Sequence, residues 1–156
     1  MKAYDPQMAQ RVWQRVQHPQ QEAAEKAAQR EAVLQSLIME EWILASTYLQ
    51  LSRQMPGKEA AVLQRLFREE QTHTSCLKGI YTLMTGEKPS IPTQPAVRES
   101  AEKTLRKCYV REMRSLKEYE ARSSDPEFGP VFTKLAEQER EHCRAVLELI
   151  GGLQKK

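Results

Sequence analysis

The chain has 156 residues, 40% hydrophobic and 29% charged, and its 24 Lys and Arg against 21 Asp and Glu give a net charge of +3. This length is that of one domain with a substantial core. Acids and bases are interleaved, and no apolar run approaches the roughly 18–20 residues that span a bilayer. We therefore expect no nucleic-acid or membrane role. The three cysteines form no paired motif and the N-terminus has no signal-peptide pattern, which predicts reduced thiols in a cytoplasmic protein.

A short amphipathic helix is predicted over residues 1–18. An Asp-Pro pair at residues 5–6 is typical of a helix start. Apolar residues then recur at every fourth position from Met8 to Val16. We expect this helix to pack against the rest of the protein, and a docking arm for a second subunit is the alternative.

Residues 19–156 are predicted to form one all-α domain with four long helices. Short breaks that contain proline divide these helices into two hairpins, about 31–85 and 98–150. Short connections of this kind produce antiparallel neighbours. We expect the last helix to end at Gly151-Gly152, because glycine is favoured just past the end of a helix.

A proline-rich connection joins the two hairpins. Pro89, Pro92 and Pro95 are spaced by three, which favours an extended polyproline-type segment. About 13 residues at about 3.1 Å each would span about 40 Å. A helix of about 28 residues has the same length. The connection can therefore cross over along the whole hairpin, between the second and third long helices.

Polar groups interrupt the apolar stripe of every predicted long helix. The second and fourth helices each carry a Glu-x-x-His motif, whose two side chains lie on one face because residues three apart are neighbours on a helix. The first and third helices each carry one glutamate in mid-stripe. In each hairpin the acidic positions lie at one level, roughly 20 Å from the turn. The six candidate metal ligands are Glu41, Glu70, His73, Glu112, Glu139 and His142.

The candidate ligands repeat between the hairpins. Glu112 and Tyr119 follow Glu41 and Tyr48 by 71 residues, and the two Glu-x-x-His motifs are 69 residues apart. Four carboxylates cannot all stay ionised at close range without cations. Two divalent cations would balance them, and a single Glu from two helices with Glu-x-x-His from the others is the ligand pattern of di-iron and di-manganese bundles.

The two tyrosines lie two turns beyond the single glutamates. We expect Tyr48 and Tyr119 to be core aromatics whose hydroxyls hydrogen-bond the ligating carboxylates. Oxygen and nitrogen ligands without thiolate suit iron or manganese. The alternative is a metal-free bundle in which the acids are surface residues.

Residues 31–150 resemble the ferritin-like superfamily and, within it, the rubrerythrin-like proteins. The residues that carry the resemblance are Glu41…Tyr48, Glu70-x-x-His73, Glu112…Tyr119 and Glu139-x-x-His142. The resemblance implies an antiparallel four-helix bundle with a long crossover between its second and third helices. It also implies two Fe ions per chain, with Mn as the alternative. Glu41 and Glu112 would be terminal ligands, Glu70 and Glu139 bridging ligands, and His73 and His142 one nitrogen ligand per metal.

The activity that the resemblance implies is that of a non-haem di-iron oxidoreductase. It would reduce hydrogen peroxide or dioxygen and take electrons from an external donor, and we expect a homodimer. Rubrerythrins also carry a rubredoxin domain and a further Glu one turn from the third-helix ligand. Here the positions one turn from Glu112 are Cys108, Tyr109, Ser115 and Leu116, and no rubredoxin-like cysteine pair is present. The alternatives are a ferroxidase-like or iron-sequestering protein, and a metal-free helical interaction module.

Overall fold

A computed structural model describes residues 5–93 and 96–155, which contain five helices and no strand. The predicted all-α class is therefore confirmed. None of these helices combines the length and the apolar character that crossing a membrane requires. The helices are α1 (Pro6–Gln17), α2 (Pro19–Ser52), α3 (Gly57–Thr85), α4 (Ala101–Ala121) and α5 (Gly129–Leu153).

Some helix ends follow local chemistry, and the end of the last helix does not. Oδ1 of Asp5 accepts a hydrogen bond from the backbone N of Gln7 at 2.9 Å, which caps α1. Gly86 ends α3 in the left-handed conformation, at φ 75°. The prediction that Gly151-Gly152 ends the last helix is wrong, because α5 continues to Leu153. Neither glycine has a positive φ. Leu153 packs against a buried apolar cluster, and this packing favours a helix that continues past the two glycines.

Helix α2 packs along α3, and α4 packs along α5. Two apolar clusters fill the interior, and each draws residues from all four of these helices. One cluster joins residues 34–38 of α2 to residues 77–81 of α3, and the other joins residues 44–51 of α2 to residues 63–66 of α3. The two helices therefore run in opposite directions, and the same holds for α4 and α5. Representative members are Ile38, Leu77, Tyr119 and Phe132 in the first cluster and Leu44, Leu66, Leu105 and Val146 in the second.

The connection between α3 and α4 runs alongside α2. The backbone N of Ser90 donates to Oε1 of Gln35 at 3.3 Å, and the backbone N of Val97 donates to Oε1 of Gln50 at 2.8 Å. The partners on α2 thus advance by 15 residues, or about 22 Å of helix. An extended connection of this length carries the chain from the end of α3 back along α2. Pro95 lies outside the described residues.

Helix α1 presents its apolar face to solvent. Met8, Trp13 and Val16 are each about two-thirds exposed, at 64–65%. The expectation that this face packs against the rest of the protein is therefore wrong. The physical reason is that α1 leads directly into the first turns of α2, which are exposed and carry no large apolar side chain that could cover this face. A docking role for α1 stays a prediction.

Candidate metal centre

All six candidate ligands lie in the interior, between the two apolar clusters. Each is at most 1% exposed. Helices α2 and α4 contribute one glutamate each, and α3 and α5 contribute one Glu-x-x-His motif each. Because the apolar residues on both sides exclude water, any charge in this layer is strongly desolvated. The six residues are Glu41, Glu70, His73, Glu112, Glu139 and His142.

The Nδ1 atom of His73 faces three carboxylates. It lies 2.9 Å from Oε1 of Glu139, 3.3 Å from Oε2 of Glu41 and 3.4 Å from Oε2 of Glu70. These residues come from α2, α3 and α5. One nitrogen and three carboxylates therefore converge on a single point.

The Nδ1 atom of His142 faces a second set of three carboxylates. It lies 2.7 Å from Oε1 of Glu70, 3.6 Å from Oε2 of Glu112 and 3.9 Å from Oε2 of Glu139. The imidazoles of the two motifs stack with their ring centroids 5.1 Å apart. Glu70 and Glu139 belong to both sets, and each turns one oxygen toward each imidazole. Glu41 and Glu112 each belong to one set only.

The outer nitrogens of the two imidazoles have their own partners. Nε2 of His73 lies 3.2 Å from Oε1 of Gln138, and Nε2 of His142 lies 3.0 Å from Oε2 of Glu69. Both partners are acceptors, so each Nε2 carries its proton and donates it outward. The inner Nδ1 of each ring faces the carboxylates and would offer its lone pair to a cation bound there. Metal-ligating histidines are oriented by outer-shell acceptors in this way.

Several inner atoms of the centre lack hydrogen-bond partners within the described part of the chain. They include both oxygens of Glu70, both oxygens of Glu139, Oε2 of Glu112 and Nδ1 of His142. Close approaches such as the 2.7 Å between Nδ1 of His142 and Oε1 of Glu70 do not have hydrogen-bond geometry. Buried polar atoms are ordinarily satisfied, and an unsatisfied group costs about 1–3 kcal/mol. The exceptions here are donor atoms that a metal ion would satisfy, so the residues present fit a metal.

The electrostatics show how unfavourable the full ionised cluster is. Burial, followed by the charges of Glu112 and Glu41, raises the pKa of Glu70 well above its usual value. Burial and the charges of Glu41 and Glu70 do the same to the pKa of Glu139. Without cations, these two glutamates therefore hold protons at pH values where an ordinary glutamate has lost its own.

The imidazoles respond in the complementary direction. Burial alone would lower the pKa of His73, but Glu139, Glu41 and Glu70 together raise it. Against the same burial effect, Glu112 and Glu139 raise the pKa of His142. Protons thus replace part of the positive charge that the carboxylates require, and a cation that bound here would displace them.

Hydroxyl groups donate hydrogen bonds to Glu41 and Glu112, the two glutamates that each face only one imidazole. Tyr119 donates to Oε1 of Glu41 at 2.8 Å, and Tyr48 donates to Oε1 of Glu112. Each tyrosine therefore reaches the glutamate of the other hairpin. Burial, followed by the charge of the nearest glutamate, raises the pKa of both phenols, so both hydroxyls remain donors. The sequence predicted that both tyrosine hydroxyls hydrogen-bond ligating carboxylates without saying which, and each hydroxyl donates to one of the candidate ligands.

Three polar contacts of the centre were not predicted. Ser115 donates to Oε1 of Glu41 at 2.8 Å, while Glu69 and Gln138 accept from the imidazoles. Burial would raise the pKa of Glu41, but contacts with Glu70, His73 and Ser115 lower it to about 2. A usable signal existed for the acceptors, since each directly precedes the Glu of a motif. Ser115 gave none, because a serine one turn from Glu112 is equally typical of a helix surface.

Two free cysteines near the centre, Cys108 and Cys143, are buried. Burial raises the pKa of Cys108 and of Cys143 to about 12. A protonated thiol is a poor metal ligand and a poor nucleophile. Among the described residues, the group of side chains that could hold a metal ion contains carboxylates and imidazoles and no thiol.

A scan against models of protein families, a search of curated proteins and a search of solved structures each found no match for this chain. Function is therefore inferred from the side chains of the site. Four of them, Glu70, His73, Glu139 and His142, offer ligand atoms within 4.8 Å of one another and could hold a metal ion.

Proposed function

We propose that helices α2 to α5 form a ferritin-like antiparallel four-helix bundle that binds two metal ions in its core. The terminal ligands are Glu41 and Glu112, and each ion has one imidazole. The observation that carries the proposal is the sharing of Glu70 and Glu139. Each of these carboxylates directs one oxygen toward each imidazole, within 2.7–3.9 Å of Nδ1, as a bridging ligand would.

The charge and the donor chemistry suit iron or manganese, and we propose iron with manganese as the alternative. Four carboxylates balance two divalent cations, which removes the cost of burying them together. Carboxylate oxygen with one imidazole per metal is typical of iron and manganese sites, whereas zinc and copper sites more often use thiolate or several imidazoles.

The function proposed for this centre is that of a rubrerythrin-like oxidoreductase. When bound, two ferrous ions supply the two electrons that convert hydrogen peroxide and two protons to two waters, or dioxygen and two protons to hydrogen peroxide. An external electron donor restores both electrons. The protein orients the ligands through Tyr48, Tyr119 and the outer-shell acceptors, and its apolar clusters keep bulk water away. The donor, the homodimer and the cytoplasmic location stay predictions.

The test is anaerobic loading with Fe²⁺ followed by rapid mixing with peroxide or dioxygen. We expect the protein-bound iron to oxidise faster than the same Fe²⁺ in buffer, and a reductant to restore the ferrous form for a second cycle. The matched control is Glu70→Ala, which removes a shared ligand and should behave like free iron. Oxidation of the wild-type protein no faster than in buffer would overturn the enzymatic proposal.

A ferroxidase-like or iron-sequestering protein is the second candidate. The observation that favours it lies one turn from Glu112, where no further carboxylate is available and where the hydroxyl of Ser115 is engaged with Glu41. Repeated additions of Fe²⁺ and dioxygen separate the candidates. Iron that accumulates on the protein beyond the two bound ions indicates sequestration, whereas a constant iron content with repeated turnover indicates the oxidoreductase.

A further inference from the structure

The outer nitrogens of the two imidazoles meet chemically different acceptors. Glu69 and Gln138 occupy equivalent places, because each directly precedes the Glu of its motif and contacts the imidazole of the other motif. His142 therefore donates to a carboxylate, and His73 donates to a neutral amide. The carboxylate of Glu69 is itself held by Arg65, whose Nη1 lies 3.1 Å from Oε2.

This difference changes the strength of the two imidazoles as ligands. A hydrogen bond to a carboxylate is charge-assisted and draws the Nε2 proton away from the ring. The ring becomes more basic, and its Nδ1 becomes a better electron donor to a cation. A neutral amide has the same effect to a smaller degree. On this ground alone, His142 is the stronger ligand.

The two terminal glutamates also differ in their hydrogen-bond partners. Oε1 of Glu41 accepts two hydroxyl hydrogen bonds, from Ser115 and Tyr119, each at 2.8 Å. Oε1 of Glu112 accepts one, from Tyr48. The residue equivalent to Ser115 in the other hairpin is Leu44, which offers no donor. Hydrogen bonds to a carboxylate orient it for a cation and also stabilise its charge without one, and these two effects on cation binding oppose each other. The partners of the imidazoles therefore decide which position binds more tightly.

We propose that the two metal positions are inequivalent, and that the position formed by Glu112 and His142 binds a divalent cation first and more tightly than the position formed by Glu41 and His73. This inference rests on the two-metal site of the proposed function. Outer-shell partners typically change metal affinity by about 10–100-fold. We expect a difference of that size between the two positions.

The experiment is a titration of the metal-free full chain with Mn²⁺, with free Mn²⁺ measured by its electron paramagnetic resonance signal. Two cations repel each other, so two separated binding steps in the wild type would not by themselves identify the tighter position. The single-position variants do. His73→Ala should retain one tightly bound ion, and His142→Ala should retain one ion bound about 10–100-fold more weakly. Equal affinity, or tighter binding by His142→Ala, overturns the inference.

A second pair of variants alters only the outer acceptors and leaves all six ligands in place. Glu69→Gln should weaken the first binding step, and Gln138→Glu should strengthen the second, so each change narrows the gap between the steps. Unfolding of both metal-free variants serves as the control for folding. No change in either step would overturn the inference, even if the single-position variants fail to fold.

The outcomes distinguish this inference from the function it rests on. Failure of the wild type to bind Mn²⁺ in the core would overturn the two-metal site itself. Two bound ions per chain with no dependence on Glu69 or Gln138 would leave the two-metal site in place and overturn only the inequivalence.

Discussion

Replacing Glu70 by Gln should stabilise the metal-free protein while it removes metal binding at both positions. Glutamine has nearly the same shape and carries no charge. Both oxygens of Glu70 are buried without hydrogen-bond partners, and burial together with Glu112 and Glu41 raises its pKa well above the usual value. The native site therefore holds a proton that the unfolded chain releases.

The magnitude follows from proton linkage. Between the ordinary glutamate pKa and the raised one, the folded state binds more protons than the unfolded state, so stability falls as the pH rises. One such group costs about 1.4 kcal/mol for each pH unit of that window. The glutamine variant lacks this loss, so its advantage over the wild type grows with pH. For a chain of this size, each kcal/mol corresponds to about 2–4 °C in Tm.

The assay is urea unfolding of the metal-free proteins at several pH values from 5 to 8, with elemental analysis of the reconstituted proteins. We expect Glu70→Gln to exceed the wild type by at least about 1 kcal/mol at pH 7, and to bind neither metal ion. The control is Glu141→Gln, whose side chain is 61% exposed and whose replacement should matter by less than about 0.5 kcal/mol. A glutamine variant that is less stable than the wild type, with an unchanged pH slope, would refute the reasoning.

Three further predictions concern the centre and its frame. Metal affinity should increase from pH 6 to pH 8, and binding should release protons, because the raised pKa values of Glu70 and Glu139 make protons compete with the metal. Calorimetry in two buffers of different ionisation enthalpy measures the proton release. A pH-independent affinity would contradict this prediction. Tyr48→Phe should lower the free energy of unfolding in urea by about 1–2 kcal/mol, because it removes one hydrogen bond to the glutamate of α4. The variant should still bind both metal ions. Loss of metal would instead show that the tyrosine is essential for binding. Gly129→Ala should lower the free energy of unfolding by about 1–3 kcal/mol, because the added Cβ would lie 2.5 Å from a backbone carbonyl oxygen. Gly79→Ala on α3 should raise it by about 0.5–1 kcal/mol, because the added Cβ would meet nothing within 4 Å. Equal effects of the two changes would argue against the close approach at Gly129.

The sequence predicted those features that depend on periodicity and spacing. The helices, the breaks between them and the burial of all six candidate ligands follow from apolar stripes interrupted at matching depth. The end of α5 was missed because packing of Leu153 outweighs the local preference of two glycines. The exposed face of α1 was missed because an amphipathic pattern shows that a helix has an apolar face and does not show what covers it.

The finer chemistry of the centre depends on contacts between helices, which spacing along one helix does not specify. Ser115 reaches the glutamate of α2, and Glu69 reaches the imidazole of α5. The position of Ser115 would suit a solvated helix face equally well, and the place of Glu69 beside its motif does not show which imidazole it contacts. The rotation and depth of each helix decide these contacts, and those quantities arise from the packing of all four helices together.

The metal content of the protein tests the central claim most directly. Protein purified from growth in iron- and manganese-supplemented medium, and protein reconstituted anaerobically with Fe²⁺, should each contain about two metal ions per chain by elemental analysis. The Glu70→Gln variant, prepared in parallel, should contain none above the level of buffer. A wild-type content below about one ion per chain after both treatments would contradict the assignment of the buried Glu and His cluster as a two-metal centre.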